Sequence, residues 1–233
     1  MDLEKLIESY VPPTHAVDVI KHAKIALLVG ISGAGKDTIK RALLRESEFH
    51  DIVSHTTRAP RENEGVLEVD GTDYHFIDTD RARDMVTNGE FVEVKYVHGT
   101  VYGTSIAEVE RASRTGIAVT DVDVQGVAEY KEVSSGVVAI FVVPPDYQSW
   151  IKRLKRRYTT NEDFLAEWPK RRDSAIAELT RALEVPYYHC VINDDIERAA
   201  RVTAEIARRP DMFTRQDDEA RLAARDLLQQ ISM

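Results

Sequence analysis

The stretch Gly30-Ile31-Ser32-Gly33-Ala34-Gly35-Lys36 follows the apolar run KIALLV and leads into the helix-like DTIKRALLRES. No other feature constrains this chain as strongly. The spacing G-x-x-x-x-G-K between a strand and a helix lets backbone amides wrap phosphate oxygens, with the positive end of the helix behind them. Gly30, Ser32, Gly33, Ala34 and Gly35 are the candidate cradle, and Lys36 can reach the terminal phosphates of a ligand. A plain glycine turn would explain the loop alone, but strand, loop, lysine and helix coincide here.

Asp37 stands where such loops usually carry a hydroxyl ligand to magnesium, with Thr38 one step later. Two readings stay open. Asp37 contacts the metal directly or through water, or it is a dipole-favoured residue of the first helical turn while Thr38 faces the phosphates.

Around this loop, KIALLVG, GIAVTDVDV, GVVAIFVV and HCVIN alternate with charged, helix-like segments. That rhythm predicts buried parallel strands with crossover helices, an α/β class; with the glycine loop after its first strand, the chain resembles the three-layer P-loop NTPase fold. Residues 57–105 break it with short half-polar strands around one helix, which reads as an inserted mixed lobe. The polar RRYTTNEDFLAEWPKRR reads as a mobile lid over 157–171. The core is then 24–56, 106–156 and 172–208. Leu3, Leu6, Ile7 and Tyr10 have the spacing of an amphipathic helix stopped by VPP, and Ala220, Ala223, Ala224, Leu227, Leu228 and Ile231 repeat it at the other end. Residues 1–23 and 209–233 are therefore read as helical extensions whose stripes face a core, with a dimer seam as the sharper alternative.

With 43% apolar and 30% charged residues, the chain has the composition of a globular protein. A formal net charge of -9 argues against broad binding to nucleic acid or anionic membrane. Cys190 is the single cysteine, so an intrachain disulfide is impossible, and MDLEKLIESY does not resemble a secretory signal. These features point to a cytoplasmic protein without a membrane span. Cys190 is expected to be a buried strand residue, and His55, His75 and His98 lack metal-ligand spacing.

The segments SHTTRAPR, DYHF, GEFVEVKYVHGTVYGTS and DVDVQG select among reactions. Arg58, Arg61, Tyr74 and Tyr102 offer donors suited to a dianionic phosphate. Glu93 and Asp123 are carboxylate acceptors, and Ser54 and Thr104 are hydroxyls. Asp121 and Asp123 are two apart at a strand end, so both point to one face, at the end of the sheet where α/β folds bind ligands.

In this order of motifs, over about Lys24 to Arg208, the chain resembles the guanylate kinase family. The resemblance implies that Arg58, Arg61, Tyr74 and Tyr102 hold the phosphate of GMP, that Ser54, Glu93, Gly103, Thr104 and Asp123 serve the nucleotide and its base, and that Asp121 lies nearer the metal. It implies Arg157 and Arg171 as lid arginines beside Lys36, with Arg156 and Arg172 as adjacent competitors, and Asn193 of VINDD near the adenosine of ATP. The expected activity is transfer from ATP to GMP or dGMP with Mg2+, in a monomer or homodimer that acts on small nucleotides. The alternatives are an inactive interaction module of the same fold and a P-loop kinase with another phosphorylated acceptor. The stretch RENEGVLEVDGTDY runs about four residues longer than the family usually has there, which makes residues 62–71 an enlarged acidic loop of unassigned role. The lid is also longer, by about three residues, and contains Trp168-Pro169.

Overall fold

The computed structural model describes residues 2–63, 65–97, 99–213 and 218–233; of the histidines named above, His98 lies outside them. The chain begins with α1 (Leu3–Glu8) and α2 (Thr14–His22), followed by β1 (Ile25–Val29) and α3 (Lys36–Leu43). Next come β2 (Phe49–Asp51), β3 (His55–Thr56), β4 (Glu62–Asn63), β5 (Val66–Leu67) and β6 (His75–Phe76). Then follow α4 (Thr79–Thr87), β7 (Phe91–Val97), β8 (Thr100–Ser105), α5 (Ile106–Ser113), β9 (Ile117–Asp121) and α6 (Val124–Val133). The remainder is β10 (Val138–Val143), α7 (Tyr147–Lys155), α8 (Asn161–Glu184), β11 (Tyr188–Ile192), α9 (Ile196–Arg208) and α10 (Asp218–Ser232), with a 3-10 turn at Pro210–Met212.

The main sheet has the strand order β11-β10-β1-β9-β2. Its pairs β1/β10 and β10/β11 are parallel, with Leu28 opposite Ile140 and Phe141 opposite Cys190. Every residue of β1 and β10 is buried, as expected for strands covered on both faces. Cys190 is buried in β11, as its apolar neighbours suggest.

The chain forms two compact units: residues 1–24 with 50–118, and 25–49 with 119–233. The first holds a four-stranded sheet in the order β6-β3-β8-β7 and the small hairpin β4/β5. Its apolar cluster joins Leu3 and Ile7 of α1 to Ala82, Met85 and Val86 of α4 and to Phe91 and Val101. The N-terminal stripe therefore faces the core of this lobe, where each large apolar side chain contributes about 1.5–3 kcal/mol by burial.

In the second unit, Ala220, Ala224, Leu227 and Ile231 of α10 are buried, and Arg221 donates to the Leu183 and Tyr188 carbonyls at 3.3 Å. This stripe too faces a core. The polar segment that looks like a flap in the sequence is helical from Asn161 onward and continuous with the helix expected after it. Thr160 and Asp163 form a capping box, Thr160 Oγ1 accepting from the Asp163 amide at 3.1 Å and the Thr160 amide donating to Asp163 Oδ2 at 3.2 Å. Phe164 and Trp168, one turn apart, have ring centroids 5.6 Å from each other, and Trp168 lies 5.7 Å from Trp150 of α7. This packing offsets the backbone hydrogen bond that Pro169 removes inside the helix. No described helix is long and apolar enough to cross a membrane.

Candidate active site

In the second unit, β1 delivers the chain into the glycine loop and α3 leaves it at Lys36. Two glycines are required there by geometry. Gly30 has φ +141° and a Cβ would collide with the Val142 carbonyl; Gly35 has φ +94° and a Cβ would collide with the Asn193 amide. The loop's carbonyls are tied back one after another. Lys36 Nζ donates to the Gly30 carbonyl at 2.5 Å, Trp150 Nε1 to that of Ser32 at 2.8 Å, and Asn193 Nδ2 to that of Ala34 at 2.8 Å. Arg153 adds a second bond to Ala34 at 3.4 Å and holds the Asn193 carbonyl at 2.9 Å. A backbone fixed in this way keeps its shape when an anion arrives.

Asp37 and Thr38 are exposed at the start of α3. Arg157 spans the loop, its Nη1 donating to Ser32 Oγ at 2.8 Å and its Nη2 lying 3.9 Å from Asp37 Oδ2. Of the adjacent pair Arg156 and Arg157, the latter is therefore the one recorded against the phosphate loop. Arg171 Nε donates to Tyr158 Oη at 3.0 Å and its Nη2 is 3.9 Å from Glu167, while Arg172 Nε is 3.7 Å from Asp173. Asp121 accepts from Lys40 Nζ at 3.1 Å. Asp123 caps α6, accepting from the Gly126 amide at 2.7 Å. Asn193 is buried and braces Ala34 from behind the loop.

Sequence reasoning missed three residues here. Arg153 and Trp150 sit in an ordinary amphipathic helix, and only the fold brings them to the loop. Glu178, half-buried on α8, is the third. Burial pushes its carboxyl above the usual range, with Lys36 acting against the shift and Asp123 adding to it.

In the first unit, β7 and β8 pair antiparallel with Glu93 opposite Thr104. Thr104 Oγ1 donates to Glu93 Oε1 at 2.6 Å, and Ser54 Oγ lies 3.4 Å from the same hydroxyl. One carboxylate and two hydroxyls thus share one place. Gly103 is required by packing, because a Cβ would stand 2.9 Å from the Phe91 ring.

The guanidinium of Arg58 lies 5.2 Å from the Tyr74 ring centroid and 5.9 Å from that of Phe76. The Tyr74 and Tyr102 rings are 6.2 Å apart. Arg58 is also gripped by a residue that no motif announces. Glu68 of the enlarged acidic loop accepts from Arg58 Nη1 at 2.7 Å and Nη2 at 3.0 Å, and takes the Arg61 amide at 2.7 Å. Both side chains are close to nine-tenths buried, 11% and 12% exposed. Arg61 joins the cluster through its backbone, its side chain being exposed.

The Arg58 fork holds the Glu68 carboxyl below the ordinary range, burial opposing and the Arg61 amide assisting. A carboxyl with a lowered folded pKa contributes stability that is fully present above its unfolded pKa and disappears as pH falls through the folded value. Glu68→Gln is expected to destabilise the protein by about 1.5–3 kcal/mol at pH 7, with the difference from wild type shrinking below the unfolded carboxyl value of 4.5. Urea unfolding at several pH values measures this. A constant difference would show that the carboxylate charge is immaterial.

A family model described as guanylate kinase matches residues 22–209. The chain belongs to the guanylate kinase family. It is 39% identical over 170 residues to the guanylate kinase of Geobacter metallireducens, covering 72% of this chain and 79% of that one. It is 39% identical over 178 residues to guanylate kinase 1 of Oryza sativa, covering 75% of this chain but only 45% of that longer relative. The crystal structure of guanylate kinase from Anaplasma phagocytophilum matches with a TM-score of 0.59 at 26% identity, over 84% of this chain and 90% of that one. The α/β fold with a parallel core is thus that of the guanylate kinases. Residues 1–21, and with them α1 and most of α2, precede the matched region.

Proposed function

We propose that this protein transfers the terminal phosphate of ATP to GMP, and to dGMP, giving ADP and the nucleoside diphosphate. One observation carries the choice of acceptor: the Thr104 hydroxyl links a carboxylate and a second hydroxyl, donating to Glu93 at 2.6 Å and lying 3.4 Å from Ser54 Oγ. A carboxylate accepts from guanine N1–H and the 2-amino group, and a hydroxyl donates to O6. Adenine offers neither donor at those positions, so Glu93 would lose the base partners that guanine supplies, which supports rejection by a large factor.

The other residues take roles that their chemistry supports. The Gly30–Gly35 cradle and the α3 N-terminus bind the donor phosphates, with Thr38 at the rim and Asn193 holding the loop's shape. Arg58, Arg61, Tyr74 and Tyr102 hold the acceptor phosphate, whose dianion is already a competent nucleophile, and Gly103 and Asp123 complete the nucleotide set. Lys36, Arg157 and Arg171 stabilise charge on the moving phosphoryl group. Asp37 and Asp121 are oxygen donors of the kind a hard, mostly hydrated cation accepts, so these two residues would hold Mg2+. When bound, that ion neutralises charge on the donor phosphates.

An interaction module of the same fold has no use for Lys36 and Arg157 on the loop, so the enzymatic reading is preferred. Incubation with ATP, Mg2+ and GMP, followed by chromatography of the nucleotides, is expected to give equal amounts of ADP and GDP. Binding of both nucleotides without GDP formation would refute it.

A further inference from the structure

Among the described residues, strand β7, which carries Glu93, is the outer strand of its sheet, with β8 on one side only. An outer strand presents backbone groups that need partners. At Phe91 those groups are met by one side chain from outside the family-matched region. Tyr10 Oη donates to the Phe91 carbonyl at 2.6 Å and accepts from the Phe91 amide at 3.1 Å. The hydroxyl thus takes the place that a neighbouring strand would fill. Burial raises its pKa, with the Phe91 bond opposing and the nearby Glu90 assisting.

The site of this bond matters. Between Phe91 and Glu93 the β7/β8 register shifts by a bulge, and a bulge re-aims the side chains that follow it. Phe91 is fully buried beside Gly103, and its ring meets that of His55 edge-on with centroids 5.9 Å apart. The residue that fixes the bulge on its near side is therefore held by Tyr10, and the residue on its far side is Glu93. Leu3 and Ile7 anchor the preceding helix in the same apolar cluster as Phe91.

We infer that the N-terminal extension is a working part of the nucleotide lobe, in which Tyr10 is a positioning residue that sets Glu93 for guanine through the Phe91 backbone. This rests on the functional reading above. Tyr10 acts without touching substrate. Its contribution is the aim of a strand that does.

The test uses Tyr10→Phe in the full chain, with Ile7→Val as a control that trims the same anchor and keeps the hydroxyl bond. GMP affinity is read by calorimetric titration and by the KM for GMP in the coupled assay. Tyr10→Phe is expected to weaken both by about three- to tenfold, the range that one lost hydrogen bond gives. The KM for ATP and kcat at saturating GMP should stay within about twofold, and Ile7→Val should lower thermal stability with GMP affinity unchanged. Unchanged GMP affinity in Tyr10→Phe, or an equal loss in Ile7→Val, would overturn the inference. Should wild type bind GMP without forming GDP, the functional reading fails while the titrations still decide the role of Tyr10.

Discussion

Replacing Lys36 with alanine is expected to lower kcat for GDP formation by about 10²–10³, the loss found when one donor aimed at developing transition-state charge is removed. Phosphoryl transfer asks for little covalent chemistry from the protein and much positive charge in fixed positions. Lys36 opens α3 directly behind the glycine loop, and its ammonium already rests on the loop at the Gly30 carbonyl, 2.5 Å away. The substitution leaves the carbonyls of Ser32 and Ala34 still tied by Trp150 and Asn193. The loop should therefore keep its shape, GMP binding should be retained, and the defect should lie in turnover. Rapid-quench measurement of a single turnover, with GMP titration alongside, checks this. A loss below tenfold would mean that Arg157 and the bound cation carry the charge without the lysine.

The second large effect is expected at Glu93. Glu93→Gln keeps size and shape but exchanges one acceptor oxygen for an amide donor, which then confronts the guanine donors. Recognition by buried polar groups fails steeply when a partner is lost. We expect kcat/KM for GMP to fall by about 10² or more, with that for AMP little changed. The carbonyl oxygen that glutamine keeps still accepts from Thr104, which now donates to Glu93 at 2.6 Å; Thr104→Val removes that hydroxyl and should fall in the same direction but less far. Preserved preference for GMP over AMP in Glu93→Gln would remove the base-recognition argument.

Local chemistry made part of this molecule legible in its sequence. The buried strands announce themselves as apolar runs, since a strand covered on both faces has no polar alternation. The glycine loop is equally plain, because its spacing is set by backbone geometry. Ser54 lies far along the chain from Glu93 and Thr104, and family resemblance rather than spacing groups the three; Glu93 and Thr104 meet through the register of β7 against β8. Glu68 was invisible, one acid among several in an enlarged loop, and only the fold shows which of them finds Arg58. The helicity of α8 through the lid stretch is not legible in its composition, since a charged run containing proline shows no clear apolar period. Its capping box was written in Thr160 and Asp163, but the contact of Trp168 with Trp150 is tertiary. Tyr10 belongs to the same class: its stripe marks a packed helix, and nothing local connects its hydroxyl to Phe91.

The proposed selectivity of this family member for GMP rests on a nucleotide lobe that reads guanine. Its most direct test is the ratio of kcat/KM values for GMP and AMP, measured for the wild-type protein with ATP and Mg2+ in one coupled assay, with dGMP and UMP as further acceptors. The value for GMP is expected to exceed those for AMP and UMP by about 10⁴ or more, with dGMP also accepted. Comparable turnover of AMP or UMP would contradict it.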